Sequence, residues 1–306
     1  MAAGPLLALV GPTAAGKSEA ALEIAQGIGA EIVSVDSMLV YRGMDVGTAK
    51  PSPGDRARVP HHLLDVADPS EPFSVSRFQS LARKALEGIA ERGRRPLLVG
   101  GSGLYFRAVV DDLEFPGTDQ ATRLALEAEA AKSGAERIHA RLAALDPVAA
   151  GKIQVGNVRR IVRALEVASL TGRRFSSFAV AWDRYPPERV RAAGVEVARE
   201  ALRGRIERRV HRMIQGGFAE EVGSLLAGGF GGWLTSTKAI GYAEVARHLR
   251  GDCSLEGAIA DTVKRTVSLA RRQMAWFRRD PRIRWFVAGE KGAAGIAAEL
   301  LEYLRG

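Results

Sequence analysis

One octapeptide constrains the fold of this chain more than any other feature. Gly11-Pro12-Thr13-Ala14-Ala15-Gly16-Lys17-Ser18 follows an apolar run, Leu6-Leu7-Ala8-Leu9-Val10. It precedes a segment, Ser18 to Gly27, that carries Ala21, Leu22, Ile24 and Ala25 at helical spacing. A chain running strand, glycine-rich loop, helix is committed to a parallel sheet, because the next strand must return by a crossover. The glycines let backbone N–H groups turn inward around a phosphate, and the helix N-terminus adds its positive dipole end. Lys17 contributes a cation and the Ser18 hydroxyl suits Mg²⁺. The pattern specifies a phosphate or pyrophosphate site, not ATP.

The alternation continues over the first ~110 residues. Glu31 to Val35 reads as a second strand with Asp36 at its carboxyl end, Phe73 to Arg92 as a helix, and Pro96 to Val99 as a third strand closed by Gly100-Gly101. From about Thr118 the character changes, and residues 118–180 read as helical hairpins rich in Ala, Glu and Arg. A short strand is expected at Gly194 to Val197, and amphipathic helices from Glu200 to the end. The glycines between Ala227 and Gly232 mark a flexible loop.

Composition narrows the functional classes. No apolar run approaches the ~18 residues of a membrane span, and the first residues lack the basic segment of a secretory signal. Cys253 is the only cysteine, so an intrachain disulfide and a multi-cysteine zinc site are excluded. A cytoplasmic protein, with no membrane partner, is the expectation. Lys plus Arg total 44 against 35 Asp plus Glu, a formal net charge of +9. That balance suits a polyanionic partner, or simply a basic protein.

Asp36 sits where open α/β sheets bind their ligands. A carboxylate there can act as general base, hold Mg²⁺, or cap a turn. The loop Tyr41 to Pro51 and the segment Gly100 to Tyr105 bring further glycines to the same edge, with Ser102 as a donor. Arg159 and Arg163 share a face of a helix that begins at Asn157. Arg205 and Arg209, one turn apart, suit a pyrophosphate. Along Val263 to Arg279, Lys264, Arg271 and Arg278 recur every seven residues, as do Arg265, Arg272 and Arg279. No acidic residue interrupts them between Asp261 and Asp280. Two cationic rows interleaved with Trp276 point to a phosphate-backbone contact. His61-His62 lacks a third ligand and reads as structural.

Several longer stretches add a resemblance. GPTAAGKS (11–18), VDSMLVYRGMDVGTAKP (35–51), VPHHLLD (59–65), GGSGLYFRA (100–108), RRIVRALE (159–166), TKAIGYAE (237–244) and VKRTVSLARRQMAWFRRD (263–280) span nearly the whole chain. In these the chain resembles the bacterial tRNA dimethylallyltransferases, which prenylate N6 of the adenosine just 3′ of the anticodon. The resemblance implies an α/β fold. Its P-loop NTPase-like core covers 1–112 and 200–306, and a helical insertion at 113–199 grips the anticodon stem-loop. It implies dimethylallyl diphosphate as substrate and Mg²⁺ as cofactor, with no ATP as phosphoryl donor, in a monomer.

By the same resemblance Gly11 to Ser18, residue by residue (Gly11, Pro12, Thr13, Ala14, Ala15, Gly16, Lys17, Ser18), hold the diphosphate, with Ser18 on the metal. Asp36 is the general base, and Thr13, Ser102 and Arg205 complete the catalytic set. The tRNA contacts it implies are Asp36, Ser37, Met38, Leu39, Ser102, Arg123, Arg159, Arg160, Arg163, Lys238, Gly241, Tyr242, Arg271, Arg272, Gln273, Trp276 and Arg278. The chain departs from the family's usual residues at Ala15, Ser18, Leu39 and Ser102. Leu39 stands where the family often has Gln, and so removes a polar side chain from a stretch that, in the family, touches the target nucleotide. A P-loop small-molecule kinase, an adenylate isopentenyltransferase and a non-catalytic RNA binder stay open as alternatives.

Overall fold

The computed structural model describes residues 4–111 and 113–306. Strand β1 (Leu6–Val10) leads through the phosphate loop into helix α1 (Lys17–Ile28), which ends at Gly29 in the left-handed conformation. Strand β2 (Ala30–Ser34) follows. Ser52 then caps α2 (Pro53–Arg58) in a reciprocal box with Asp55, satisfying N–H groups that the first turn leaves unpaired. After the two-residue strand β3 (His61–His62) comes α3 (Val75–Glu91), two residues later than its apolar pattern predicts, because the Ser74 side chain accepts from Arg77 N–H and fixes the start. Strand β4 (Arg95–Gly100) and helix α4 (Gly103–Val110) complete the first half.

Helices α5 (Gln120–Ser133), α6 (Ala135–Leu145), α7 (Pro147–Lys152) and α8 (Val158–Thr171) come next, then β5 (Val190–Val197). The chain continues with α9 (Arg199–Gln215), α10 (Phe218–Ala227), α11 (Tyr242–Leu249), α12 (Leu255–Phe277), β6 (Ile283–Ala288) and α13 (Ala297–Arg305). Among the described residues no helix is long and apolar enough to cross a membrane.

The six strands form one wholly parallel sheet in the order β3-β2-β4-β1-β5-β6. β1 lies between β4 and β5, with both its faces buried, and this accounts for its unbroken apolar run. The next strand in sequence, β2, pairs beyond β4, so the loop after β1 opens onto the carboxyl edge where the chain changes direction.

Two expectations need correcting. Residues 283–288, read as helix, form the edge strand β6: Ile283, Phe286 and Ala288 are buried while Val287 is 76% exposed. The other concerns the insertion. The chain divides into a unit of residues 1–110 and 186–306 and a second unit of 111–185. Residues 186–199 therefore belong to the first, because β5 starts at Val190 and pairs along its length with β1 and β6. The amino-terminal boundary drawn at 112 falls at Asp112, outside the described residues, as do residues 1–3.

The second unit has its own core, in which Leu126, Ile138, Leu142, Ile161, Val162 and Leu165 pack together. Beside it lies Glu166, fully buried, which accepts from Arg123, Arg163 and the Asp119 N–H. Arg163 also donates to the carbonyls of Pro116 and Gly117. Burial alone would raise the Glu166 carboxyl, but these donors hold it below the ordinary range. Arg123 and Arg163 are thus tied to Glu166 and partly exposed, while Arg159 and Arg160 are exposed. Glu166→Ala removes the acceptor shared by two guanidiniums and the Asp119 N–H and is expected to cost about 2 kcal/mol. Urea denaturation would detect it, and an unchanged midpoint would refute this account. The depressed carboxyl adds stability above its unfolded value, and that contribution is lost as pH falls through the folded one.

Candidate active site

The phosphate loop is held in shape from several sides. Gly16 adopts φ 85°, a left-handed conformation that glycine enters without penalty, and Ala14 is forced to φ 63°. Arg205 of α9 donates through Nε to the Ala14 carbonyl at 2.7 Å and through Nη1 to that of Glu290 at 2.8 Å. The Ala293 N–H donates to Ala15 O at 2.8 Å. From α12, Gln273 Oε1 accepts from the Thr13 N–H at 2.9 Å. Lys17 Nζ donates to Pro12 O at 2.7 Å. Burial pushes the Lys17 ammonium down to about 7; Arg209 adds to the depression and Asp36 opposes it.

Beneath the loop opens a cavity of about 1070 Å³. Its lining includes the cations Lys17, Arg205, Arg208, Arg209, Arg212 and Lys291. It also includes the apolar side chains of Ile32, Leu39, Val46, Leu64, Val99 and Met213. Alternation along a strand brings Ile32, Ser34 and Asp36 to this cavity together, while Val33 and Val35 enter the core on the opposite face. Ser34 Oγ is buried and has no hydrogen-bond partner. Asp36 Oδ1 accepts from the Met38 N–H at 2.8 Å, so the carboxylate does cap its own turn while also lining the cavity. The positive charges balance a diphosphate, and the apolar side chains suit a short hydrocarbon.

Of the residues singled out in the sequence, Thr13, Ala14, Gly16, Lys17, Ser18, Asp36, Leu39, His61, Arg205, Arg209 and Gln273 line this cavity. Ser102 does not; its neighbours Gly100 and Gly101 do, and its own N–H donates to Val35 O. Trp276 covers Gly103, where a Cβ would sit 2.0 Å from the indole. On α12, Arg271 and Arg272 are exposed, while Arg278 pairs with Glu196 at 2.5 Å and Arg265 with Glu244. Lys238 is exposed. Gly241 and Tyr242, which the resemblance implies as RNA contacts, face the protein interior. Both are buried, the Tyr242 hydroxyl donates to Glu221 Oε1 at 2.7 Å, and a Cβ on Gly241 would sit 2.9 Å from the Phe218 ring.

In the segment 228–232 the glycines are exposed while Phe230 is buried and makes edge contact with Trp233. His62 pairs with Glu31 and His61 with the Val59 carbonyl, as structural histidines would. Sequence reasoning missed Ser34, Arg208, Arg212 and Lys291. The two-residue period of β2 would have found Ser34, and the one-turn spacing of Arg205, Arg208 and Arg212 on α9 the next two. Lys291 carried no local signal.

Comparison with known proteins bears on the cavity's chemistry. The sequence profile described as IPP transferase matches residues 39–280, and one described as isopentenyl transferase matches residues 5–61. A tRNA dimethylallyltransferase of Salinispora arenicola is 49% identical over 99% of this chain and 87% of its own. One from Desulforudis audaxviator is 48% identical over 97% and 96%. Among solved structures, the full-length tRNA isopentenylpyrophosphate transferase of Bacillus halodurans aligns with a TM-score of 0.69 at 38% identity, covering 98% of each chain. A eukaryotic dimethylallyltransferase described as acting on tRNA shares the fold, with a TM-score of 0.77 at 23% identity over 94% of this chain and 74% of its own.

Proposed function

The chain belongs to the IPP transferase family, and we propose that it performs the family's chemistry in the cavity beneath its phosphate loop. A dimethylallyl group passes from dimethylallyl diphosphate to N6 of the adenosine 3′ of the anticodon in tRNA, and pyrophosphate leaves. The observation that carries the reading is one cavity lined by the phosphate loop, by several cations, by apolar side chains and by Asp36.

In this reading the allylic carbon–oxygen bond breaks as the bond from N6 forms, and the N6 proton goes to Asp36. An exocyclic amine conjugated to the purine ring is a weak nucleophile, so removing its proton in the transition state matters. The base must leave the stacked loop first, which costs a few kcal/mol. Negative charge gathers on the departing diphosphate, and Lys17, the loop N–H groups, Thr13 and the cations of α9 stabilise it. Arg205 uses two of its five N–H donors on the Ala14 and Glu290 carbonyls, which holds the loop in shape and leaves donors for the diphosphate. Ser102, one residue beyond the cavity-lining Gly101, is the candidate for a hydrogen bond beside the reacting centre.

Mg²⁺, when bound, supplies further neutralisation of the leaving diphosphate, and Ser18 would hold it. Among the described residues no three His, Cys, Asp or Glu side chains gather into a cage. That suits an ion whose ligands are mostly waters and substrate phosphates. The apolar side chains keep water from the allylic carbon.

The test is transfer of labelled dimethylallyl from its diphosphate to unmodified tRNA with Mg²⁺, with and without ATP. A parallel tRNA carries guanosine at the target position. Label on the adenosine tRNA alone, independent of ATP, supports the reading; no label from folded, RNA-binding protein overturns it.

The helical unit and the exposed arginines of α8 and α12 are the proposed tRNA contacts, in a cytoplasmic, monomeric enzyme. Replacing Arg271, Arg272 and Arg278 together by alanine is expected to weaken tRNA binding. It should also lower the salt slope by about one unit per lost phosphate contact. Affinity equal to wild type across a salt titration would remove α12 from the interface.

A further inference from the structure

The loop of residues 45–49 forms part of the cavity wall, with Val46, Thr48 and Ala49 facing in. Behind it stands Glu221, in the first turn of α10 and absent from the cavity lining. Its Oε2 accepts from the N–H groups of Asp45 and Val46, both at 2.7 Å. Its Oε1 accepts from the Gly47 N–H at 3.1 Å and from the Tyr242 hydroxyl at 2.7 Å. Three consecutive backbone donors thus converge on one carboxylate. Gly47 is pressed so close that a Cβ there would sit 2.1 Å from the Phe218 ring. On the cavity side of the same loop, Arg209 Nη2 donates to the Thr48 carbonyl at 3.0 Å. Arg209 is the cation that depresses Lys17 and is itself attracted by Asp36.

We infer that Glu221 is a positioning residue for the transfer reaction: from outside the cavity it fixes the 45–49 wall and, through the Thr48 carbonyl, the Arg209 guanidinium that faces the phosphate loop. The inference rests on the transferase reading above. An ionised carboxylate offers acceptors in every direction, and here four donors use them. Glutamine has the same shape but presents an amide NH₂ where two of those donors point, so the loop must shift. The other end of the loop is independently tied, because Lys50 Nζ donates to the Tyr41 carbonyl and pairs with Asp45 and Asp65. The consequence of losing Glu221 is therefore a displaced wall in a folded protein.

The experiment measures binding of inorganic pyrophosphate by calorimetry and the KM for dimethylallyl diphosphate. It uses wild type, Glu221→Gln, Arg209→Gln and the double variant, with melting temperature as the folding control. For Glu221→Gln, pyrophosphate affinity is expected to fall about tenfold and KM to rise comparably, the scale of a wall displaced by a fraction of an ångström. In the Arg209→Gln background the same change should add less than about twofold, because the two residues act through one loop. A folded Glu221→Gln protein that binds like wild type, or whose effect adds in full to that of Arg209→Gln, overturns the inference. If Glu221→Gln does not fold, Tyr242→Phe decides. It removes one of the four donors and is expected to weaken pyrophosphate binding about threefold; equality with wild type overturns the inference. Wild type that binds pyrophosphate yet transfers nothing refutes the transferase reading alone, and wild type that binds none refutes both.

Discussion

Asp36→Asn is expected to slow prenyl transfer by about 10²–10⁴-fold, the range for loss of a general base, while leaving tRNA affinity within about twofold. Asparagine is the informative replacement. Asp36 Oδ1 accepts from the Met38 N–H, and the asparagine carbonyl can keep that bond, so the turn carrying Ser37 to Leu39 stays in place. What disappears is a group able to take the N6 proton. Asp36→Ala removes the turn acceptor as well, and any further loss it shows measures loop geometry and not chemistry. Single-turnover rates with saturating substrates separate the two, because a chemical defect survives saturation. An asparagine variant within about tenfold of the wild-type single-turnover rate would exclude Asp36 as the base.

The legible and illegible parts of this protein divide along physical lines. Strands β1, β2 and β4 declare themselves because both their faces are buried, so each is a short apolar run that only a central parallel strand explains. The phosphate loop is legible because its backbone conformation demands particular residues. Strand β6 is not: it is an edge strand with Arg284 and Val287 exposed, and it follows the arginines of α12, so it reads as more basic helix. The start of β5 fails similarly, since Val190-Arg191-Ala192-Ala193 carries helix-forming residues and only its pairing with β1 makes it strand.

Charge was the poorest guide. The resemblance implies Arg123, and the helix face suggests Arg163, as RNA contacts, yet Glu166, three residues beyond Arg163, pairs with both. A carboxylate at that spacing is a warning visible in the sequence. Gly241 and Tyr242 are buried. Within a stretch resembling a family of RNA-modifying enzymes, these two pack against Phe218 and secure Glu221.

Lys17→Met is expected to lower kcat/KM for dimethylallyl diphosphate by about 10²–10³-fold, the cost of one lost donor to a developing oxyanion. The wild-type residue also makes a pH-dependent prediction that a fixed charge would not. Burial and Arg209 hold the free protein's Lys17 near 7, against an ordinary 10.5. Between those values the unfolded chain binds a proton that the native chain lacks. Lys17 therefore makes the free protein gain stability as pH rises through that window. A diphosphate reverses the local field and draws the proton back, so binding at pH 8 must take up as much as one proton through Lys17. Below about pH 6 the lysine is already charged and this uptake vanishes. Calorimetry of pyrophosphate binding in buffers of different ionisation enthalpy reads the uptake directly. Lys17→Arg supplies the baseline, since arginine keeps the charge and does not titrate in this range, while protons exchanged by the pyrophosphate itself are common to both proteins. Equal uptake by wild type and Lys17→Arg at pH 8 would mean that Lys17 is already protonated in the free loop. The cavity would then hold its full positive charge before any ligand arrives.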